Sequence, residues 1–161
     1  MKEGDTFIDV GCGYGFFTLP ASRIVGTDGK VYGLDVDAEA ISIVEKKAHQ
    51  ERLTNLRLEV GKAEDTIFCE ACADIVFFGI VLHDFADAAT VLDNARLMMK
   101  QHGRLVDLDW NKEPMDFGPP LSIRFSEEYA AKLIRASGFA VERTEKMGPY
   151  NYLILAETHK Q

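Results

Sequence analysis

The chain has 161 residues, 47% of them hydrophobic and 27% charged, with a formal net charge of −8. That length predicts one domain with enough chain to bury a core, and the acidic balance argues against an extended nucleic-acid surface, which needs a basic face. The longest apolar run, Ile75 to Leu82, is far short of the ~20 residues of a membrane span, and Met1-Lys2-Glu3-Gly4-Asp5 lacks the apolar stretch of a secretory signal, so a cytoplasmic protein without a membrane partner is expected.

Phe7-Ile8-Asp9-Val10 is a short apolar run carrying one acid, and Gly11-Cys12-Gly13-Tyr14-Gly15 follows with glycine at alternate positions. Amphipathic spacing through Phe16, Phe17, Leu19 and Ile24 comes next, so the order reads strand, tight turn, helix. The helix start offers unpaired N–H donors to polar or anionic groups. After a turn at Gly26-Thr27-Asp28-Gly29, Lys30 to Asp35 is a second strand. It ends on an acid twenty residues beyond Gly15, where a βαβ nucleotide site grips ribose hydroxyls.

Asp37 is placed to cap the next helix, whose apolar stripe is Ile41, Val44, Ala48 and Leu53. Leu56 to Val60 is a third strand and Asp74 to Phe78 a fourth. Residues 87–100 predict a helix with Val91, Leu92, Ala95 and Met99 on one face, Gly103 ends that region, and Arg104 to Asp109 make the fifth strand. Ser126 caps a last helix, which Gly138 closes. Phe139 to Lys146 and Asn151 to Glu157 are joined so tightly that they must be antiparallel. The charged residues 142–146 suit an exposed edge. Tyr152-Leu153-Ile154-Leu155-Ala156 suits a strand buried on both faces. Elsewhere strands and helices alternate, as parallel strands with helices on both faces do.

The glycine spacing separates two cofactors. A dinucleotide fingerprint, GxGxxG, needs its third glycine at position 16, where the chain has Phe16. Asp-x-Gly-x-Gly-x-Gly stands there instead. It resembles motif I of the class I S-adenosylmethionine (SAM) methyltransferases, and Gly33-Leu34-Asp35 resembles their second motif. The resemblance spans nearly the whole chain. It implies an α/β, Rossmann-like three-layer sandwich around a seven-stranded, mostly parallel sheet in the order 3-2-1-4-5-7-6, with the last strand antiparallel, and residues 1–161 as a single domain. It further implies methyl transfer from SAM to an unidentified small-molecule acceptor, with S-adenosylhomocysteine as product. The alternatives are a SAM-binding module without catalysis and an NAD-linked oxidoreductase, the latter disfavoured by Phe16 and the antiparallel tail.

Ligands of open α/β sheets bind beyond the carboxyl ends of the strands, where strand order reverses. By the resemblance, Asp9 is an indirect anchor of the cofactor's amino group and the backbone of Gly11, Cys12, Gly13, Tyr14 and Gly15 lines its methionine part. Asp35 takes the ribose, with Val36 beside the adenine. Relatives often carry Gly-Asp-Ala after the third strand. This chain has Gly61-Lys62-Ala63-Glu64-Asp65, which leaves the adenine contact to Glu64, to Asp65 or to the backbone at Ala63. Gly79-Ile80-Val81-Leu82-His83-Asp84-Phe85 resembles the fourth motif in the branch that includes quinone-biosynthesis methyltransferases, with Gly79, Ile80 and Val81 facing the methionine end.

His83 reads first as a loop histidine bonded to backbone and second as a group titrating near the reacting centre. A general base is needed only where the acceptor must lose a proton, and His83, Asp84 and Asp109 are its candidates. The irregular stretch from Asn111 to Phe125 is either an acceptor pocket or lid, or a passive crossover. Trp110, Phe117 and Arg124 are the candidate substrate residues. Cys69 and Cys72 form a lone CxxC without the four ligands of a structural zinc site, and read as incidental thiols with no metal. Helical sequence that covers the active site in such enzymes does not precede the first strand, so a homodimer, or a small-molecule site covered by the 111–125 loop, is expected.

Overall fold

The computed structural model describes residues 1–158. Short apolar runs become strands and 3.6-residue stripes become helices, in the order β1 (Thr6–Val10), α1 (Thr18–Val25), β2 (Lys30–Asp35), α2 (Ala38–Gln50), β3 (Leu56–Val60), β4 (Ala73–Gly79), α3 (Ala88–Met98), β5 (Met99–Trp110), α4 (Glu127–Ala136), β6 (Phe139–Met147) and β7 (Asn151–Thr158). All seven strands share one sheet in the order β3-β2-β1-β4-β5-β7-β6. Strands β1 to β5 pair in parallel, while β7 runs antiparallel to both β5 and β6. This is the expected Rossmann-like arrangement, flanked by helices.

The helices start where side chains can satisfy their free N–H groups. Asp37 accepts from Glu39 and Ala40, Asp87 from Thr90 and Ser126 from Tyr129. Helices α1 and α2 lie over β1–β3 on one face, and α3 and α4 cover β4–β7 on the other. The larger core gathers Ile8, Phe78, Leu92, Leu105, Ile134 and Ile154 on the α3/α4 side. A smaller one gathers Phe7, Val25 and Phe77 beneath α1.

Four expectations are corrected. Phe16 is 80% exposed because it precedes α1, and Ile24 faces solvent because α1 turns Ala21 and Val25 inward along with Leu19. Strand β5 begins at Met99 and runs through Gly103, so Met99 belongs to a strand and Gly103 breaks nothing. A Cβ at 103 would stand 2.8 Å from the Ala73 carbonyl oxygen; the glycine lets β5 pass close to the start of β4, where the register shifts. Strand β7 buries Tyr152, Ile154 and Ala156 but leaves Leu153 and Leu155 half-buried, since no helix among the described residues covers that side of β5 and β7. Finally, Cys69 and Cys72, read as two incidental thiols, bring their sulfurs together across the CxxC turn. Ala71, at φ +46, folds the CxxC turn so that the two Cα atoms lie 6.0 Å apart.

Candidate functional site

Strand order reverses between β1 and β4, and the crevice opens there. It holds a cleft of about 590 Å³ whose walls include Gly11, Asp35, Val36, Ala63, Glu64 and Val81. The turn after β1 forms its floor. Gly11 has φ +76, and a Cβ there would stand 2.5 Å from Val81 Cγ2, so the turn and the β4 loop meet only because position 11 has no side chain. The Gly13 N–H donates to Asp35 Oδ2 at 2.7 Å, and the Asp37 N–H to Asp35 Oδ1 at 3.0 Å. Two backbone donors thus aim this carboxylate, which keeps lone pairs for hydroxyls in the cleft.

Asp9 lies under the turn and is 1% exposed. Its Oδ2 accepts from Thr18 Oγ1 at 2.6 Å, whereas Oδ1 has no partner. Burial pushes the carboxyl up to about 7, with the Thr18 hydrogen bond working against the shift and the Asp35 charge adding to it. A buried acceptor without a donor calls for a partner from outside the chain, and a cationic ligand group fits it. Burial also pushes the Cys12 thiol up to about 12, which makes Cys12 an inert packing residue.

The far wall is the 3₁₀ turn Ala63–Asp65. Asn94 on α3 fixes it, donating through Nδ2 to the carbonyls of Ala63 at 3.0 Å and Glu64 at 2.8 Å. Glu64 Oε1 in turn accepts from the Asp87 N–H at 3.4 Å. Asn94 went unnoticed in the sequence because its partners are backbone atoms far away in the chain. Phe85, Ala86 and Asp87 also line the cleft; their signal was the loop that runs on from Asp84 to the α3 cap.

In the β4 loop, Ile80 adopts φ +62 and donates its N–H to Leu108 O at 2.7 Å. This swings Val81 and Asp84 to the cleft. His83 is buried, with Nδ1 2.8 Å from the Asp109 carboxylate and Nε2 3.4 Å from Asp84 Oδ1. Its partners are therefore carboxylates, not the backbone expected for it. Burial pulls the imidazole pKa down, but the hydrogen bond to Asp109 and the charges of Asp109 and Asp84 outweigh it and raise the value. Asp109 also accepts the Trp110 N–H at 2.7 Å. Asp107 is fully buried with neither oxygen partnered; burial first, and then the Asp109 charge, push its pKa well above the ordinary range.

The expected residues therefore divide. Gly11, Asp35, Val36, Ala63, Glu64 and Val81 line the cleft, as does the base candidate Asp84. Asp9 and Cys12 lie beneath it, and Gly13 acts on Asp35. Tyr14 is exposed at the rim, and Gly15, Gly79 and Ile80 do not reach the lining. Trp110, at the end of β5, gathers with Phe117 and Arg124 of the 111–125 loop, Trp110 and Phe117 edge to face at 5.8 Å, with the Arg124 guanidinium turned inward.

The profile of a family described as methyltransferase domain matches residues 1–143. The chain belongs to the class I methyltransferase domains. This methyltransferase domain is 33% identical, over 109 residues, to the demethylmenaquinone methyltransferase of Oceanobacillus iheyensis, across 68% of this chain and 46% of that protein. It is 32% identical over 118 residues to the protein of that name from Bacillus velezensis, across 73% and 50%. The chain spans about half the length of the curated relatives it matches. A SAM-dependent methyltransferase from Aquifex aeolicus superposes on the methyltransferase domain with a TM-score of 0.91 at 29% identity, across 96% of this chain and 82% of that one. Geranyl diphosphate C-methyltransferase from Streptomyces coelicolor, at 16% identity, has the same fold, with a TM-score of 0.84 across 99% and 74%. No helix of the described residues is long and apolar enough to cross a membrane.

Proposed function

We propose that the domain transfers the methyl group of SAM to a small-molecule acceptor, reduced demethylmenaquinone being the first to test. The observation that carries this reading is the Asp35 carboxylate, aimed into the cleft by two backbone N–H groups beside the Gly11 turn. SAM, when bound, supplies a methyl group already activated by a positive sulfonium. The protein's task is then to hold and orient, which contributes on the order of 7–11 kcal/mol to lowering a barrier.

In this reading Asp35 accepts from the ribose hydroxyls and Val36 packs beside the adenine. The turn held by Asn94 offers Ala63 backbone and Glu64 to the polar edge of the base. Asp9, buried beneath the turn, anchors the cationic amino end indirectly. Among the three base candidates only Asp84 lines the cleft, so Asp84 takes the acceptor's proton where one must leave, with His83 and Asp109 behind it.

The sequences named demethylmenaquinone methyltransferase support the acceptor class, and the cytoplasm and a single domain remain part of the reading. So does the homodimer. Its support is the sheet face of Val106, Leu108, Leu153 and Leu155, half-buried and uncovered by any described helix. Gel filtration with light scattering should give twice the chain mass; a monomer removes the dimer.

The reaction is tested by incubating the protein with methyl-labelled SAM and reduced demethylmenaquinone. Label in the quinol together with S-adenosylhomocysteine is the expected result. Tight SAM binding without transfer to the quinol or to any component of a metabolite extract would leave a binding module, and NAD binding in place of SAM would overturn the reading.

A further inference from the structure

Arg124 is a charged side chain that is only 2% exposed. Burying a charge is costly unless its donors are satisfied, and here backbone carbonyls satisfy them. Nε donates to Pro119 O at 2.8 Å, Nη1 to Asn111 O at 3.3 Å and to Glu113 O at 3.0 Å, and Nη2 to Phe117 O at 2.9 Å. The guanidinium also lies 5.7 Å from the Trp110 ring. Phe117 packs edge-on against that ring, and Tyr150 packs against Phe117 at 4.7 Å. One planar fork therefore gathers the 111–123 segment, which has neither helix nor strand to hold it.

The gathered loop is apolar on its free side. Phe117, Leu121 and Ile123 are exposed, and a hollow of about 370 Å³ is lined by Met115, Phe117, Pro120 and Leu121, with Arg124 in its wall. Its root adjoins the cleft: Trp110 follows Asp109 at the end of β5, Asp109 holds His83, and the residue after His83, Asp84, lines the cleft.

We propose that Arg124 is a positioning residue for the methyl acceptor, setting the 111–123 loop as a preformed apolar wall against which a flat, apolar acceptor packs. It acts through the loop that its four hydrogen bonds gather. The proposal rests on the SAM-dependent reading of the cleft. Its physical basis is that a loop ordered in advance removes an entropy cost from acceptor binding. Lysine, a single point charge, does not reproduce the fork.

The test compares the wild type with Arg124→Lys and Arg124→Ala. Four quantities are measured: hydrogen exchange over residues 111–123, acrylamide quenching of Trp110 (the only tryptophan), S-adenosylhomocysteine affinity by calorimetry, and kcat and KM for reduced demethylmenaquinone with a short prenyl tail. Both variants should exchange and quench faster and raise KM about tenfold or more, with kcat within about threefold and S-adenosylhomocysteine affinity within about twofold. Recovery of KM by lysine, unchanged exchange, or cofactor affinity falling in step with KM would each overturn the proposal. Should Arg124→Ala fail to fold, Phe117→Ala replaces it, since it removes the wall but keeps the staple. It is expected to raise KM at unchanged cofactor affinity, and an unchanged KM counts against the wall. A wild type that binds S-adenosylhomocysteine but neither binds nor methylates the quinol overturns the apolar wall alone. One that does not bind S-adenosylhomocysteine overturns the cofactor reading beneath it.

Discussion

Burial lifts the Asp9 carboxyl from an ordinary 3.8 to about 7, so between those values the folded chain keeps a proton that the unfolded chain has released. The stability tied to this group is whole below about pH 4 and is lost as pH rises to about 7. Thermal unfolding should therefore show the wild type losing ground to Asp9→Asn from pH 4 to 7, with a constant difference above that. A cationic ligand favours the ionised form, so SAM binding at pH 6 should release a proton from the wild type and none from the variant in calorimetry run in two buffers. At Asp35 the expected loss is larger. Hydrogen bonds to a charged group contribute ~1.5–3 kcal/mol each, so Asp35→Ala, which removes the two to the ribose hydroxyls, should weaken SAM binding by roughly a hundred- to ten-thousandfold, and it also strips the Gly13 N–H of its acceptor. An unchanged dissociation constant would remove Asp35 from the site.

The β4 loop and β5 are tied together by His83 and Asp109. Because the folded-state pKa of His83 is raised above its ordinary 6.5, the stability it contributes is whole below 6.5 and lost as pH climbs through the raised value. His83→Gln should therefore destabilise most near pH 6 and progressively less in alkali; a pH-independent difference would show that the charged pair contributes nothing. Elements of this kind were only partly legible in the sequence. Asp9, the glycine turn and Asp35 are local signals, and they located the crevice. The limits of β5 were hidden because Gly103, a helix terminator by its chemistry, serves a close pass of two strands. Phe16 fitted a helical stripe but lies outside α1, which starts at Thr18. Asn94 and Arg124 act on backbone carbonyls, whose positions exist only once the chain is folded, so no residue pattern announces Asn94, and Arg124 was legible as a substrate candidate but not as the residue that gathers its loop.

For the molecule as a whole, alternating strand and helix gave parallel strands with helices on both faces, the short joint gave the antiparallel hairpin, and the order of the strands came from the methyltransferase resemblance. What alternation does not convey is coverage: α1 and α2 shield β1–β3, while Val106, Leu108, Leu153 and Leu155 are left half-buried on the same face. The cleft itself lies where strand order reverses, between elements distant in the chain, so its ligand should stabilise the entire fold. SAM at a hundred times its dissociation constant should add about 2.7 kcal/mol, seen as a rise in the unfolding temperature that NAD does not produce.

The most direct measurement is a crystal structure of the protein soaked with S-adenosylhomocysteine. The ligand should lie between the Gly11 turn and the Ala63–Asp65 turn, both ribose hydroxyls within hydrogen-bonding distance of the Asp35 carboxylate. An empty cleft at saturating ligand, or a ribose bound away from Asp35, would contradict the account.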